Sequence, residues 1–156
     1  MKLKTRDIVY IGFIAALCAV ATTIRIEIPG GAMVHLGSAA LFTSSILFGG
    51  LYGGLGAAIG SALFDLFGGH TQYIVFSFFI KGIAGLIVGG MTAGYLPPSI
   101  NKPTASFSRI LVALIIGAIW TAFGYFIAWW FVLNSAAVAA SKIQYSLITS
   151  AAGIIV

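Results

Sequence analysis

Charge is the scarcest property of this sequence. Its 156 residues include only eight lysines and arginines and three acidic residues, whereas 60% of the residues are hydrophobic. Water-soluble domains carry about 25% charged residues, because so large an apolar surface cannot face water. The composition therefore excludes a soluble domain and indicates an integral membrane protein.

The residues of several kinds of catalytic site are also scarce or missing. The single cysteine, Cys18, lies within the first apolar run, which excludes an internal disulfide and a cysteine-based metal centre. His35 and His70 are far apart and show no metal-ligand spacing, and no GxxxxGK[ST], HExxH or GxSxG motif occurs. We therefore predict no catalytic residue, no metal and no cofactor, and enzymatic activity is the least favoured function.

Six apolar segments follow one another along the chain. A helix needs about 20 residues to cross about 30 Å of hydrocarbon. The predicted helices are Ile8–Ile24, Leu36–Gly50, Leu55–Phe67, Tyr73–Tyr95, Ile110–Leu133 and Ile143–Val156. The last is too short to cross, so we expect the C-terminal helix to be incomplete. The sequence predicts one all-α transmembrane domain over residues 1–156, a six-helix bundle.

Basic residues give the expected orientation of this bundle. Lys2, Lys4 and Arg6 precede the first helix, and Lys102 and Arg109 lie in the proline-rich segment before the fifth. Because cytoplasmic loops are enriched in lysine and arginine, both termini are predicted to be cytoplasmic. The net charge of +5 is scattered over the ends of apolar runs, so we expect no nucleic-acid partner.

Polar residues concentrate in the half of the bundle that this topology places outside. The first external loop, RIEIPGGAMVH, contains Glu27 and His35, and its Pro-Gly-Gly predicts a tight reversal. Asp65 lies near the outer end of the third helix, and Lys81 lies inside the fourth. A lysine at that depth costs a few kcal/mol unless it pairs or faces a cavity. Convergence of these groups at one depth predicts a binding pocket open to the exterior.

Small residues form a strip along the first helix. They recur at spacings of three and four, so that they share one face: Gly12, Ala15, Ala16 and Ala19. Such a face lets the backbone of another helix approach closely. It could serve packing within the bundle or docking of a partner protein, and the spacing alone does not separate the two.

Four segments together resemble the substrate-binding S components of energy-coupling factor (ECF) vitamin transporters. They are GFIAALCAVAT, IRIEIPGGAMVHLG, FGGLYGGLGAAIGSALFDL and FIKGIAGLIVGG. The resemblance extends over roughly residues 5 to 95. The remainder of the chain matches the family only in its length and its number of helices. It implies a multi-pass protein of the prokaryotic plasma membrane that binds a vitamin from outside. A transmembrane coupling protein and two ATPase subunits would power it, which is consistent with the missing phosphate loop.

The resemblance also implies roles for particular residues. Ala15 and Ala19 match the strip that docks on the coupling protein, with Gly12 and Ala16 beside them. Ligand contacts carried over by position are Glu27, His35, Lys81, Trp129, Asn134 and Gln144. Asp65 joins them because a carboxylate can hydrogen-bond an aminopyrimidine or a hydroxymethyl group. Hydroxymethylpyrimidine or pyridoxine is the favoured ligand, and riboflavin or pantothenate is the alternative.

A channel or secondary transporter and a structural subunit are the two other classes of membrane protein that this composition allows. A channel or secondary transporter would need polar residues along a path through the bilayer, and the inner halves of the predicted helices are almost bare. A non-transporting structural subunit would explain the glycine-rich faces. It would not explain the outer cluster of ionisable residues.

Overall fold

Six helices and one short hairpin make up the described part of the chain. The structure is a computed structural model, and it describes residues 4–28, 32–95 and 105–155. The helices are α1 (Thr5–Thr23), α2 (Gly37–Phe48), α3 (Gly50–Phe67), α4 (Ile74–Thr92), α5 (Phe107–Leu133) and α6 (Ala136–Ile155). Strands β1 (Arg25–Ile28) and β2 (Ala32–His35) join α1 to α2, and a single 3₁₀ turn, Thr71–Tyr73, precedes α4.

Four segments of the described residues are long and apolar enough to cross a membrane. They are Thr5–Thr23, Gly50–Phe67, Thr71–Thr92 and Phe107–Leu133, whereas α2 is apolar but has only 12 residues. These helices confirm the membrane-integral class that composition predicted. The crossing of α2 and α6, and the cytoplasmic position of both termini, stay predictions.

Two predicted helix boundaries were wrong. The segment Asn134–Lys142 is not an external loop, because α6 already begins at Ala136 and has 20 residues. Asn134 adopts a left-handed conformation (φ 54°) that ends α5, and the alanines after it are strong helix formers. Helix α3 begins at Gly50 rather than Leu55, since only Gly49, with φ 86°, interrupts the chain after α2.

The segment between α1 and α2 forms a β-hairpin where the sequence predicted a polar loop with a tight reversal. Arg25 pairs with His35 and Glu27 with Met33 in an antiparallel register. The alternation of polar and apolar residues in RIEI suits a strand, because successive side chains point to opposite faces. The reversal predicted at residues 29–31 lies outside the described residues.

Close contacts of α3 with both neighbours explain the glycines of this helix. A Cβ atom at Gly60 would overlap the carbonyl oxygen of Ala15 on α1, and a Cβ atom at Gly85 on α4 would lie 2.6 Å from the Cα atom of Gly54. Glycine therefore lets three backbones pack directly against one another, as small residues do between membrane helices. This packing outweighs the weak helix propensity of glycine.

Hydroxyl groups within the bundle donate to backbone carbonyls. Thr22 Oγ1 donates to the oxygen of Cys18 at 2.7 Å, and Thr121 Oγ1 donates to that of Gly117 at 2.8 Å. At the opposite end of the bundle, Tyr52 Oη donates to Asp7 Oδ1 at 2.6 Å, which ties α3 to the start of α1. The hydroxyl groups of Thr22 and Thr121 are thus bonded within their own helices, whereas that of Tyr52 joins two helices.

Candidate functional site

A cavity lies at the end of the bundle where α1, α3 and α5 finish and α4 and α6 begin. It contains about 810 Å³ of empty space, counting its open mouth. The hairpin and all six helices contribute to its wall: Thr22, Met33, His35, Gly37, Ser61, Phe64, Asp65, His70, Tyr73, Ser77, Lys81, Thr121, Tyr125, Trp129, Ser146 and Thr149. Three of the ionisable residues singled out in the sequence, His35, Asp65 and Lys81, therefore line one cavity.

Lys81 is the buried cation of this cavity, with 4% of its surface exposed. Its Nζ donates to Ser38 Oγ at 3.1 Å and lies 5.5 Å from the centroid of the Tyr125 ring. An ammonium group has three N–H donors, so this one hydrogen bond within the described part of the chain leaves two of them available to a ligand. The aromatic face stabilises the charge without consuming a donor.

Asp65 is the buried acid of the same cavity, with 7% of its surface exposed. Its Oδ2 atom has no hydrogen-bond partner among the described residues, and neither has the buried Nε2 atom of His70. The backbone N–H of His70 donates to the carbonyl oxygen of Asp65 at 2.8 Å, which keeps the two residues together. A buried carboxylate oxygen without a partner is costly, so this part of the cavity wall is suited to a donor from a ligand.

His35 presents one fixed tautomer. The backbone N–H of Gly37 donates to His35 Nδ1 at 3.0 Å, so the neutral ring carries its proton on Nε2. Burial, helped by the positive charges of Lys81 and Arg25, lowers the pKa of His35 to about 3. His35 is therefore a neutral hydrogen-bond donor across the physiological pH range.

This lowered pKa predicts a dependence of stability on pH. Below about pH 6.5 the unfolded chain binds a proton at His35 that the folded chain does not bind until about pH 3, so acidification favours the unfolded state. We expect the melting temperature in detergent to fall more between pH 7 and pH 5 for the wild type than for His35→Asn. Equal falls for the two proteins would show that His35 titrates normally in the folded state.

The structure brings together four of the predicted ligand-binding residues and leaves three apart. The four that line the cavity are His35, Asp65, Lys81 and Trp129. Glu27 is exposed on the hairpin, where its Oε1 lies 2.7 Å from Arg25 Nη2. Asn134 and Gln144 are exposed and do not belong to the cavity wall.

Several lining residues were not predicted from the sequence. Ser77 and Tyr125 share a hydrogen bond of 3.0 Å between their hydroxyl oxygens, and the ring centroid of Tyr125 lies 5.6 Å from that of Trp129. A signal for both existed, since Ser77 precedes Lys81 by one helical turn and Tyr125 precedes Trp129 by one turn. Within the described ranges, no group of three or more histidine, cysteine or acidic residues could hold a metal ion.

The small-residue strip of α1 divides between two faces. Ala15 is 3% exposed and packs inside the bundle against Gly60. Gly12 and Ala16 are exposed, Ala19 is partly exposed, and a Cβ atom at Gly12 would have no other atom within 4 Å. The outward part of the strip is therefore formed by Gly12, Ala16 and Ala19.

Comparisons with known proteins agree with this architecture. A solved structure described as "Structure and mechanism of the S component of a bacterial ECF transporter" matches 98% of this chain and 91% of its own, with a TM-score of 0.73 and 19% identity. A protein of Pyrococcus woesei described as "Uncharacterized protein in gap 3'region" is 29% identical over 142 residues, which cover 90% of this chain and 88% of that protein. The family model "ECF-type riboflavin transporter, S component" matches residues 2–156. The chain belongs to this family of ECF-type transporter S components.

Proposed function

We propose that this protein captures a small heteroaromatic vitamin or vitamin precursor from outside a prokaryotic cell and delivers it inward. Membership of the family makes it a substrate-binding subunit of an ECF transporter rather than an enzyme. The observation that carries the proposal is the cavity, where a buried ammonium and a buried carboxylate oxygen without a partner lie among aromatic side chains. Hydroxymethylpyrimidine and pyridoxine are the favoured ligands.

The aromatic part of the wall supports a ring-shaped ligand. Phe64, Tyr73, Tyr125 and Trp129 all line the cavity, and they come from three different parts of the chain. Aromatic side chains supply a large apolar contact area and stack on flat rings. A few polar groups placed among them would fix the orientation of the ligand, as in most small-molecule sites.

Riboflavin is the second candidate ligand, because the matching family is described by that vitamin. Pantothenate has less support. Its carboxylate would suit Lys81 but would be repelled by Asp65, and the guanidinium of Arg25 on the hairpin is already paired with Glu27. A purely structural subunit would leave the unpaired polar atoms of the cavity without a purpose.

The proposal also includes partner proteins and an orientation in the membrane. ECF S components work with a membrane coupling protein and ATPases, and two ATPase subunits are expected here. We propose that the outward strip of α1, Gly12, Ala16 and Ala19, contacts the coupling protein, while Ala15 holds α1 against α3. All six helices would cross the membrane, with both termini in the cytoplasm and the cavity open to the outside.

Mass spectrometry of the purified protein tests the function directly. The protein is purified in detergent, and one sample is denatured so that any released small molecule can be identified. A second, native sample is titrated with hydroxymethylpyrimidine, pyridoxine, riboflavin and pantothenate. We expect one heteroaromatic compound to be released in stoichiometric amount or to bind with sub-micromolar affinity. A preparation that releases none and binds none would favour the structural subunit instead.

A further inference from the structure

The buried acid and the buried base of the cavity do not pair with each other. Asp65 and Lys81 both line it and are both more than nine-tenths buried, yet the structure shows no ion pair within 4.0 Å between these two described residues. Buried charges normally find a partner, because desolvation of an unpaired charge costs several kcal/mol. Each of these two buried charges is therefore left without the other as its ion-pair partner.

The two buried groups differ in hydrogen-bonding character. Among the described residues Lys81 Nζ donates only to Ser38, which leaves two N–H groups available, and His35, whose Nδ1 accepts from Gly37, carries its proton on Nε2. Asp65 instead offers the carboxylate oxygen Oδ2, which has no hydrogen-bond partner among these residues. A ligand that satisfies both groups therefore needs a donor for Asp65 and an acceptor for Lys81.

We infer that the ligand carries an N–H or O–H donor for Asp65 Oδ2 and an acceptor for Lys81 Nζ. This inference rests on the proposed function and narrows its substrate class to neutral heterocycles that carry both a donor and an acceptor. An aminopyrimidine has this pattern in its exocyclic amine and ring nitrogen, and an isoalloxazine has it in its ring N–H and carbonyl oxygens. A vitamin whose recognised group is a free carboxylate lacks the donor that Asp65 requires.

Matched pairs of ligands that differ only in the donor test the inference. The pairs are 4-amino-5-hydroxymethyl-2-methylpyrimidine with its analogue lacking the amine, pyridoxine with its 3-deoxy analogue, and riboflavin with 3-methylriboflavin. For the pair whose parent binds, we expect the analogue to bind the wild type about 10- to 100-fold more weakly, as for loss of a hydrogen bond to a charged acceptor. In Asp65→Leu this difference should shrink to less than about 3-fold.

The control is Asp7→Asn, which alters a carboxylate at the opposite end of the bundle and should keep the full difference between parent and analogue. A wild-type protein that binds parent and analogue equally would overturn the inference while leaving the proposed function in place. A full difference persisting in Asp65→Leu would overturn it as well, because another group would then accept the donor. If Asp65→Leu fails to fold, Asp65→Ala replaces it, and the difference between parent and analogue should again shrink to less than about 3-fold. Failure of every parent to bind would overturn both the proposed function and this inference.

Discussion

Lys81→Met is expected to lower the affinity for the vitamin by about 10- to 100-fold. A hydrogen bond from a buried ammonium is worth about 1.5 to 3 kcal/mol, and each 1.4 kcal/mol corresponds to a factor of ten in affinity. Methionine has a similar length and no charge to desolvate, so the variant should fold, because replacing a buried charge with an apolar side chain is often neutral or stabilising. Titration followed by tryptophan fluorescence measures the effect, since Trp129 lines the cavity.

The matched control for this variant is Lys4→Met. Lys4 is exposed at the start of α1, at the other end of the bundle from the cavity, and its loss should leave the affinity unchanged. Lys81→Ala should weaken binding in the same direction as Lys81→Met. Wild-type affinity in both Lys81 variants would remove this residue from the site.

Ala16→Trp is expected to abolish uptake of the vitamin by cells that contain the coupling protein and ATPases, with a loss of more than about tenfold. The isolated variant should keep its affinity, because Ala16 is exposed on α1 and does not line the cavity. A small-residue face lets two helices approach closely, and an indole group would hold them apart. Uptake of labelled vitamin and binding to the purified protein are measured side by side.

Two further variants separate docking from packing in the bundle. Ile119→Trp changes another outward position, 60% exposed on α5, and should leave both uptake and binding intact. Ala15→Leu should reduce binding as well as uptake, since Ala15 packs against Gly60 within the bundle. Normal uptake by Ala16→Trp would exclude the outward strip of α1 as the docking surface.

Apolar runs were sufficient to predict the six helices but not all of their ends. Glycine and alanine caused both errors. The glycines after Gly49 suggested a connection, but in the structure they lie in α3 and let it pack closely against its neighbours. The alanines after Asn134 suggested a loop because they are weakly hydrophobic, although their helix propensity is high. The close helix contacts at these glycines cannot be recognised from a single sequence, whereas the helix propensity of the alanines can.

The charged members of the site were predictable from the sequence, and most of its neutral members, other than His35 and Trp129, were not. Lys81 and Asp65 were identified because a charge inside a membrane helix requires a reason. Tyr125 is an ordinary residue in such a helix, and its position one turn before Trp129 is a much weaker signal than a charge. Gln144 was placed near the ligand by position, but it is exposed on α6, and two residues further the helix has turned by about 200°, which brings Ser146 to the cavity.

The threonines of the cavity wall determine which partners a hydroxyl-rich ligand can find there. Thr22 and Thr121 donate to carbonyls of their own helices, and Thr149 Oγ1 donates to the carbonyl oxygen of Met33 at 3.4 Å. Their protons are already committed, so each presents only oxygen lone pairs to the cavity. The protein itself therefore satisfies the hydroxyl protons of these three threonines. A hydroxyl group of a ligand can therefore donate to any of these oxygens without breaking a hydrogen bond that the protein already makes.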